Sequence, residues 1–450
     1  MKVFEKEIQI PRTNGPVSLL AYFKSKVIDA LQSDEIPVRF AVTRTDNDFF
    51  FCELAVLGEM GNRTFTPKNS IFEFRKRAQE NIETFNAVFI VPTGIGAEIG
   101  GHSGDATPVA RLLAASCDTL ITHPNIANAA DINELPENAL YVEGSVLAGL
   151  LMGTMGLQPV RANRIILIIG KHPDTLFVEM AINAASAGRA VFGLDCSLVI
   201  RQQDSFLMKS LYSRSGRAVG VIQGVETLCE VLHDQRPHYD AAALTSLIQV
   251  PKHFHSEYFR SGNEMVNPWG GVEAMLTHTI SLIFNIPTAH APMMTSREVR
   301  NLELGVVDPR KSSETISSTY LYSTLKGLHR SPRIVCDPPV AGQPGLLTTA
   351  DISCLVIPNG CVGIPTLAAM EQGIPVIAVK ENRNRMKNDL ASLGFPSGKL
   401  FIVENFLEAA GVMRALKAGL SIESVRRPLA YTYVQPDAPP RAGSGKDDLS

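Results

Sequence analysis

Titratable and amide side chains gather in three stretches, each near a run of apolar residues, and these are where the chain can do proton chemistry. The first holds His102 and Asp105, the second His123, Asn125 and Asn128, and the third Asn267 and Glu273. An imidazole titrates near neutrality, so His102 and His123 suit a general acid or base, and Glu273 is a carboxylate candidate for the same work. Each has a structural alternative. Asp105 also reads as a helix cap, and Glu273 as a first-turn acid favoured by the helix dipole. Glu143, after the short apolar run ending at Val142, is a further candidate acid or ribose ligand.

Around the first stretch the chain reads V-P-T-G-I-G-A-E-I-G-G-H-S-G-D-A-T-P from Val91 to Pro108. Gly94, Gly96, Gly100, Gly101 and Gly104 form a Gly-rich loop between an apolar strand and an apolar helix, and Asp105 to Thr107 with Pro108 is a helix entry. Free N–H groups at such a helix start suit a phosphate or carboxylate. A second loop of this kind carries Asn359, Gly360, Gly363 and Thr366, and Asn267-Pro268-Trp269-Gly270-Gly271 reads as a turn capping a helix from about Val272. The two glycine loops facing each other across a cleft would bind an anionic, phosphorylated or nucleotide-linked small molecule. Glycosyl transfer or epimerisation is the leading reaction class.

The first loop has one residue too many between its second and third glycines for G-x-G-x-x-G, and no acid ends the next strand to hold a ribose. An NAD(P)-dependent oxidoreductase is therefore the second reading. A non-enzymatic small-molecule-binding regulator is the third, and no cofactor is assigned. His253, His255 and Glu257 would share a face only in an extended strand, whose alternation the flanking sequence lacks, so no metal is assigned. The basic residues of Asp308–Lys311 and Lys326–Arg330 read first as solvated.

The elements that must position these residues follow an α/β rhythm. Apolar strands separated by glycine turns and helical patterns are expected at 87–91, 119–122, 164–169, 190–194, 218–222, 241–250, 334–336, 353–357 and 375–379. Strands apolar throughout predict parallel, doubly wound sheets in two lobes. Residues 1–85 read as a small N-terminal α+β appendage, with a helix over 70–84 leading out of it. Residues 86–200 read as the first lobe, 201–427 as the second and 428–450 as a disordered tail.

Two resemblances rest on particular residues. Ala350 to Val379, with its strand, Gly turn, T-L-A-A-M helix and G-I-P-V-I strand, resembles the nucleotide-binding lobe of GT-B glycosyltransferases and nucleotide-sugar 2-epimerases. G-G-H-S-G-D-A-T-P-V-A-R-L-L, residues 100–113, resembles their N-terminal Gly-rich acceptor loop. The resemblance implies a nucleotide-sugar ligand, with Glu371 the acidic residue nearest the ribose position. The runs H-P-N-I-A-N-A and N-P-W-G-G-V-E-A also resemble an uncharacterised-domain family of bacteria, cyanobacteria and plants, which implies no reaction.

Composition narrows the partners. The 42 basic and 45 acidic residues give a net charge of −3, too weak a field to draw in nucleic acid or an anionic membrane. The seven cysteines lie in apolar segments without a C-x-x-C pair, and no uninterrupted apolar run spans a bilayer. Together these point to the cytoplasm. A homo-oligomer is compatible with the chain's length and composition.

Overall fold

A computed structural model describes residues 1–13, 18–60, 65–202, 206–262, 265–339 and 343–434; most of the expected tail lies outside them. The α/β fold rests on two parallel sheets. The first has six strands in the order Leu400–Val403, Val376–Val379, Ile352–Pro358, Asn86–Phe89, Thr119–Thr122 and Ala139–Tyr141. The second has four, in the order Thr288–Pro292, Ala241–Ser246, Arg164–Ile169 and Asp195–Arg201. Their central strands, such as Ile352–Pro358 and Ala241–Ser246, are buried along their whole length, which is why they read as unbroken apolar runs.

A seven-stranded sheet, mostly antiparallel, joins these two bodies. The N-terminal strand Lys2–Pro11 pairs with Phe49–Gly58 on one side and with Ala218–Gln223 on the other. Asp46 Oδ1 accepts from the N–H groups of Asp48 and Phe49, and this Asx turn closes the hairpin of Ile36–Thr45 with Phe49–Gly58. Val362–Gly363 adds to the far edge. Sheet membership thus crosses the boundaries at 85 and 200. An appended N-terminal sheet would leave strand Lys2–Pro11 with an open edge, and pairing with Ala218–Gln223 satisfies it.

Two expected elements differ. Residues 70–84 form no helix, because the N–H groups of Arg75, Arg77 and Asn81 bond to Met152 O, Gln372 Oε1 and Ala350 O in distant elements. The run at 190–194 is mostly the end of helix Thr175–Phe192. Gly193, at φ 69°, closes that helix and the strand begins at Asp195.

Helix Gly270–Phe284 packs against strand Ala218–Gln223 so closely that a Cβ at Gly271 would stand 1.9 Å from the Ala218 carbonyl oxygen. Glycine at this position is a requirement of approach, and the approach fixes the helix that carries Glu273, Thr277 and His278.

Candidate functional site

The carboxyl ends of both parallel sheets converge on one cavity of about 410 Å³. His123 follows strand Thr119–Thr122, Glu143 follows Ala139–Tyr141, and His290 lies in Thr288–Pro292. Open α/β sheets place ligands at this end of their strands. A smaller, mainly apolar chamber of about 140 Å³ adjoins the cavity, and Thr93, His123, Gly144, Ala274 and His278 belong to the walls of both.

Glu143 is the most heavily bonded carboxylate of the site. It caps helix Gly144–Leu151, its Oε2 accepting from the Ser145 N–H at 2.7 Å and from the Ser145 hydroxyl. Its Oε1 accepts from Thr277 Oγ1 at 3.1 Å and from His278 Nδ1 at 2.5 Å. Burial acts to raise its pKa, but the His278 charge and these donors outweigh it and hold the carboxyl below its ordinary range. A carboxylate only accepts, so the network places a proton on His278 Nδ1, and Nε2 is the atom that carries the lone pair whenever the ring is neutral. The His278 side chain is 16 % exposed and Glu143 only 3 %. A buried carboxylate therefore orients an imidazole that reaches the cavity.

His123 has the complementary polarity. Its Nε2 accepts from the Val91 N–H at 3.1 Å, so the neutral ring carries its proton on Nδ1. Burial pushes its pKa down to about 4; nearby Glu143 partly opposes this and nearby His278 adds to it. This depression sets a pH dependence of stability. Below the ordinary value near 6.5 the unfolded chain takes up a proton that the folded chain refuses until about 4. Stability on this account is full above that window and falls as pH falls through it. Asp105 acts in the opposite sense, since burial raises its carboxyl to about 7 and its contribution is lost as pH rises. A His123→Asn variant isolates the imidazole. Between about pH 7 and about pH 4.5 its urea-unfolding free energy should fall by about 2 kcal/mol less than the wild type's, and equal losses would contradict the neutral ring.

A second carboxylate–imidazole pair lines the larger cavity. His290 Nδ1 donates to Glu273 Oε1 at 2.8 Å, and His290 Nε2 meets Ser246 Oγ at 2.9 Å. Ser246 is buried and absent from the cavity wall, so it orients His290 rather than presenting a nucleophile.

Gly144 explains the placement of the first pair. A Cβ there would lie 2.8 Å from His278 Cε1, so even Ala displaces the ring. Gly144→Ala should shift the nuclear magnetic resonance signals of the His278 ring while the far-ultraviolet circular dichroism spectrum is unchanged. Unshifted ring signals in that variant would show that Gly144 does not set the ring position.

The structure sorts the other sequence candidates. Asn125, Asn128, Asn267 and Gly270 join His123 and Glu273 on the larger cavity, and Gly363 and Thr366 lie on the smaller one. Gly94, Gly96, Gly100, Gly101, Gly104, Asp105, Thr107, Gly271, Asn359 and Gly360 line neither. Several of these residues bond internally. Asn125 Nδ2 donates to the carbonyls of Val91 and Gly100, Thr107 Oγ1 to those of Gly104 and Ile126, and Thr366 Oγ1 to that of Cys361. Asn128 pairs with Tyr141 Oη, and Asn267 Oδ1 accepts from Trp269 and Gly270 N–H.

The Gly-rich loop holds the chain's own carboxylates. Asp105 Oδ1 accepts from the N–H groups of Gly100 and His102, and Glu314 Oε1 from that of Ser103. Donors expected to meet a phosphate are already occupied. His102 is buried off the cavity wall, with Nδ1 2.8 Å from Tyr258 Oη, which donates to Glu314 Oε1 at 3.0 Å. Burial and the Lys311 charge push its imidazole down to about 4, which removes it from acid–base work near neutrality. Lys311 is fully buried, its ammonium donating to the carbonyls of Tyr258, Ser261 and Gly262, so the solvated reading of that basic cluster does not hold. Residues 254–260 are helical, which leaves His253 and Glu257 on the surface and His255 against Trp269 instead of on one strand face. Glu371 accepts from Ser18 Oγ at 2.5 Å.

Fold and site together define an α/β protein with a two-chambered cavity whose walls carry paired imidazoles and carboxylates. The chain belongs to the family described as protein of unknown function (DUF3326), which matches residues 86–426. It is 32% identical over 342 residues to an uncharacterized lipoprotein, syc1174_c, of Synechococcus sp. (strain ATCC 27144 / PCC 6301 / SAUG 1402/1), covering 75% of this chain and 92% of that protein. No solved structure matches the chain. The likeness to GT-B glycosyltransferases has no counterpart in these matches. Among the described residues no helix is long and apolar enough to cross a membrane.

Proposed function

We propose that this protein is an enzyme that moves a proton at a carbon next to a carbonyl in a small polar molecule, as an isomerase or epimerase does. The observation that supports this reading is the pairing at the junction of the two chambers: His278 offers a lone pair at Nε2, oriented by Glu143, and neutral His123 offers an N–H. The first is a general base, and a neutral imidazole N–H can polarise a carbonyl oxygen. Glu273, held by His290, supplies a second carboxylate for returning the proton.

The charge on the walls bears on the substrate. Glu143 and Glu273 line the larger cavity together with one arginine, Arg300, while burial raises the pKa of the third carboxyl of the wall, Glu314, toward its neutral form. This favours a neutral or cationic head group over a phosphate or nucleotide, in keeping with a Gly-rich loop already filled by Asp105 and Glu314. We also place the protein in a reducing compartment such as the cytoplasm, because all seven cysteines are unpaired.

The test needs no prior substrate. Pools of small carbonyl compounds incubated with the protein in deuterated water and followed by mass spectrometry should include at least one that gains deuterium from the wild type. Rates should fall in the His278→Ala variant. Exchange at the wild-type rate by that variant would overturn the assignment of the base, and no exchange of any compound would favour a binding regulator.

A further inference from the structure

The substrate class can be narrowed further, on top of the acid–base reading, from the shape and chemistry of the smaller chamber. Its wall is built from Val38, Phe40, Ile71, Ile95, Met155 and Leu282, among other mainly apolar residues. Two arginines reach it, and both are held by carboxylates. Arg39 Nη2 lies 3.3 Å from Glu5 Oε2, and Arg217 Nη1 is bound to Glu53 Oε2. Both guanidinium charges are thus paired within the protein, although the buried Nε atoms of Arg39 and Arg217 have no hydrogen-bond partner. At about 140 Å³ the chamber is close to the apolar cavity of about 150 Å³ that is known to take up benzene in another protein.

The chamber meets the larger one at His123 and His278, the two rings proposed to handle the proton. A molecule whose reacting carbon sits beside His278 can therefore extend in two directions. Its polar part meets Asn125, Glu273 and Asn267 in the larger cavity, while any remaining arm enters a mainly apolar space. We propose that the substrate is an amphipathic carbonyl compound with an apolar arm about the size of a benzene ring or a branched chain of similar bulk, and that the smaller chamber is the specificity pocket for this arm. A substrate polar throughout, such as a free sugar, would leave its hydroxyls there without partners.

The probes are phenylacetone and acetone, which share a carbonyl and differ in the arm, with dissociation constants measured by nuclear magnetic resonance titration of the full chain. Burial of the ring should make phenylacetone bind about tenfold or more tightly than acetone. Ala148→Leu and Val38→Phe each fill the chamber from a different element, and each should abolish that preference, so misfolding of one leaves the other to decide. Equal affinity of the two ketones for the wild type, or a preference that survives in both filled variants, would overturn the proposal. The His278→Ala variant separates this proposal from the acid–base reading. A retained preference in that variant supports the arm pocket, even if its deuterium exchange at the wild-type rate sinks the catalytic assignment.

Discussion

Replacing His278 by Ala is expected to lower kcat/KM about 10²- to 10⁴-fold, the usual contribution of a positioned general base. The expectation rests on where the lone pair is. Nδ1 is committed to Glu143 at 2.5 Å, and the ring edge bearing Nε2 lies beside Gly144, at a wall common to both chambers. Stability should change less than activity, because His278 borders open space and water can enter to replace its N–H at Glu143. Kinetics and thermal unfolding on the same preparation check this. A large loss of stability with retained turnover would make His278 a packing residue.

Replacing Glu143 by Ala is expected to be the more disruptive change for the fold, at about 3 to 5 kcal/mol. Four donors meet this carboxylate: the Ser145 N–H and hydroxyl, the Thr277 hydroxyl and His278 Nδ1. Ser145 is buried, so truncation leaves its N–H and hydroxyl without partners and removes the cap of helix Gly144–Leu151, while the Thr277 hydroxyl keeps only the Ala274 carbonyl at 3.3 Å. Glu143→Gln keeps the volume but brings an amide N–H toward groups that are themselves donors. It should retain the fold better and still lose activity, since His278 would no longer be held in one tautomer. Urea unfolding of both variants checks the order. Wild-type stability in Glu143→Ala would mean that the four donors find other acceptors.

Much of the fold was legible because fully buried parallel strands leave unbroken apolar runs, as at Arg164–Ile169 and Ile352–Pro358. The central sheet was not, since pairing of Lys2–Pro11 with Ala218–Gln223 depends on residues about two hundred positions apart. Of the site, His123 and Glu273 stood out by following strand ends and turns, and Glu143 by preceding a glycine. His290 did not stand out: it sits inside the apolar strand T-A-H-A-P, and only a contact with Glu273 on a neighbouring helix gives it a role. The Gly-rich loop misled for a physical reason. Its N–H groups do gather around oxygen acceptors, as the spacing suggests, but the acceptors are the carboxyl groups of Asp105 and of Glu314 more than two hundred residues away. A sequence shows donors readily and shows poorly which acceptor has already taken them.

The central claim is that the His278 imidazole, and not merely its bulk, moves the proton. Chemical rescue tests it most directly: free imidazole added to the His278→Ala variant during deuterium exchange of a carbonyl substrate identified with the wild type. The account predicts a saturable rise in the variant's exchange rate with imidazole concentration and no such rise in the wild type. A variant that exchanges at the wild-type rate without imidazole would contradict it.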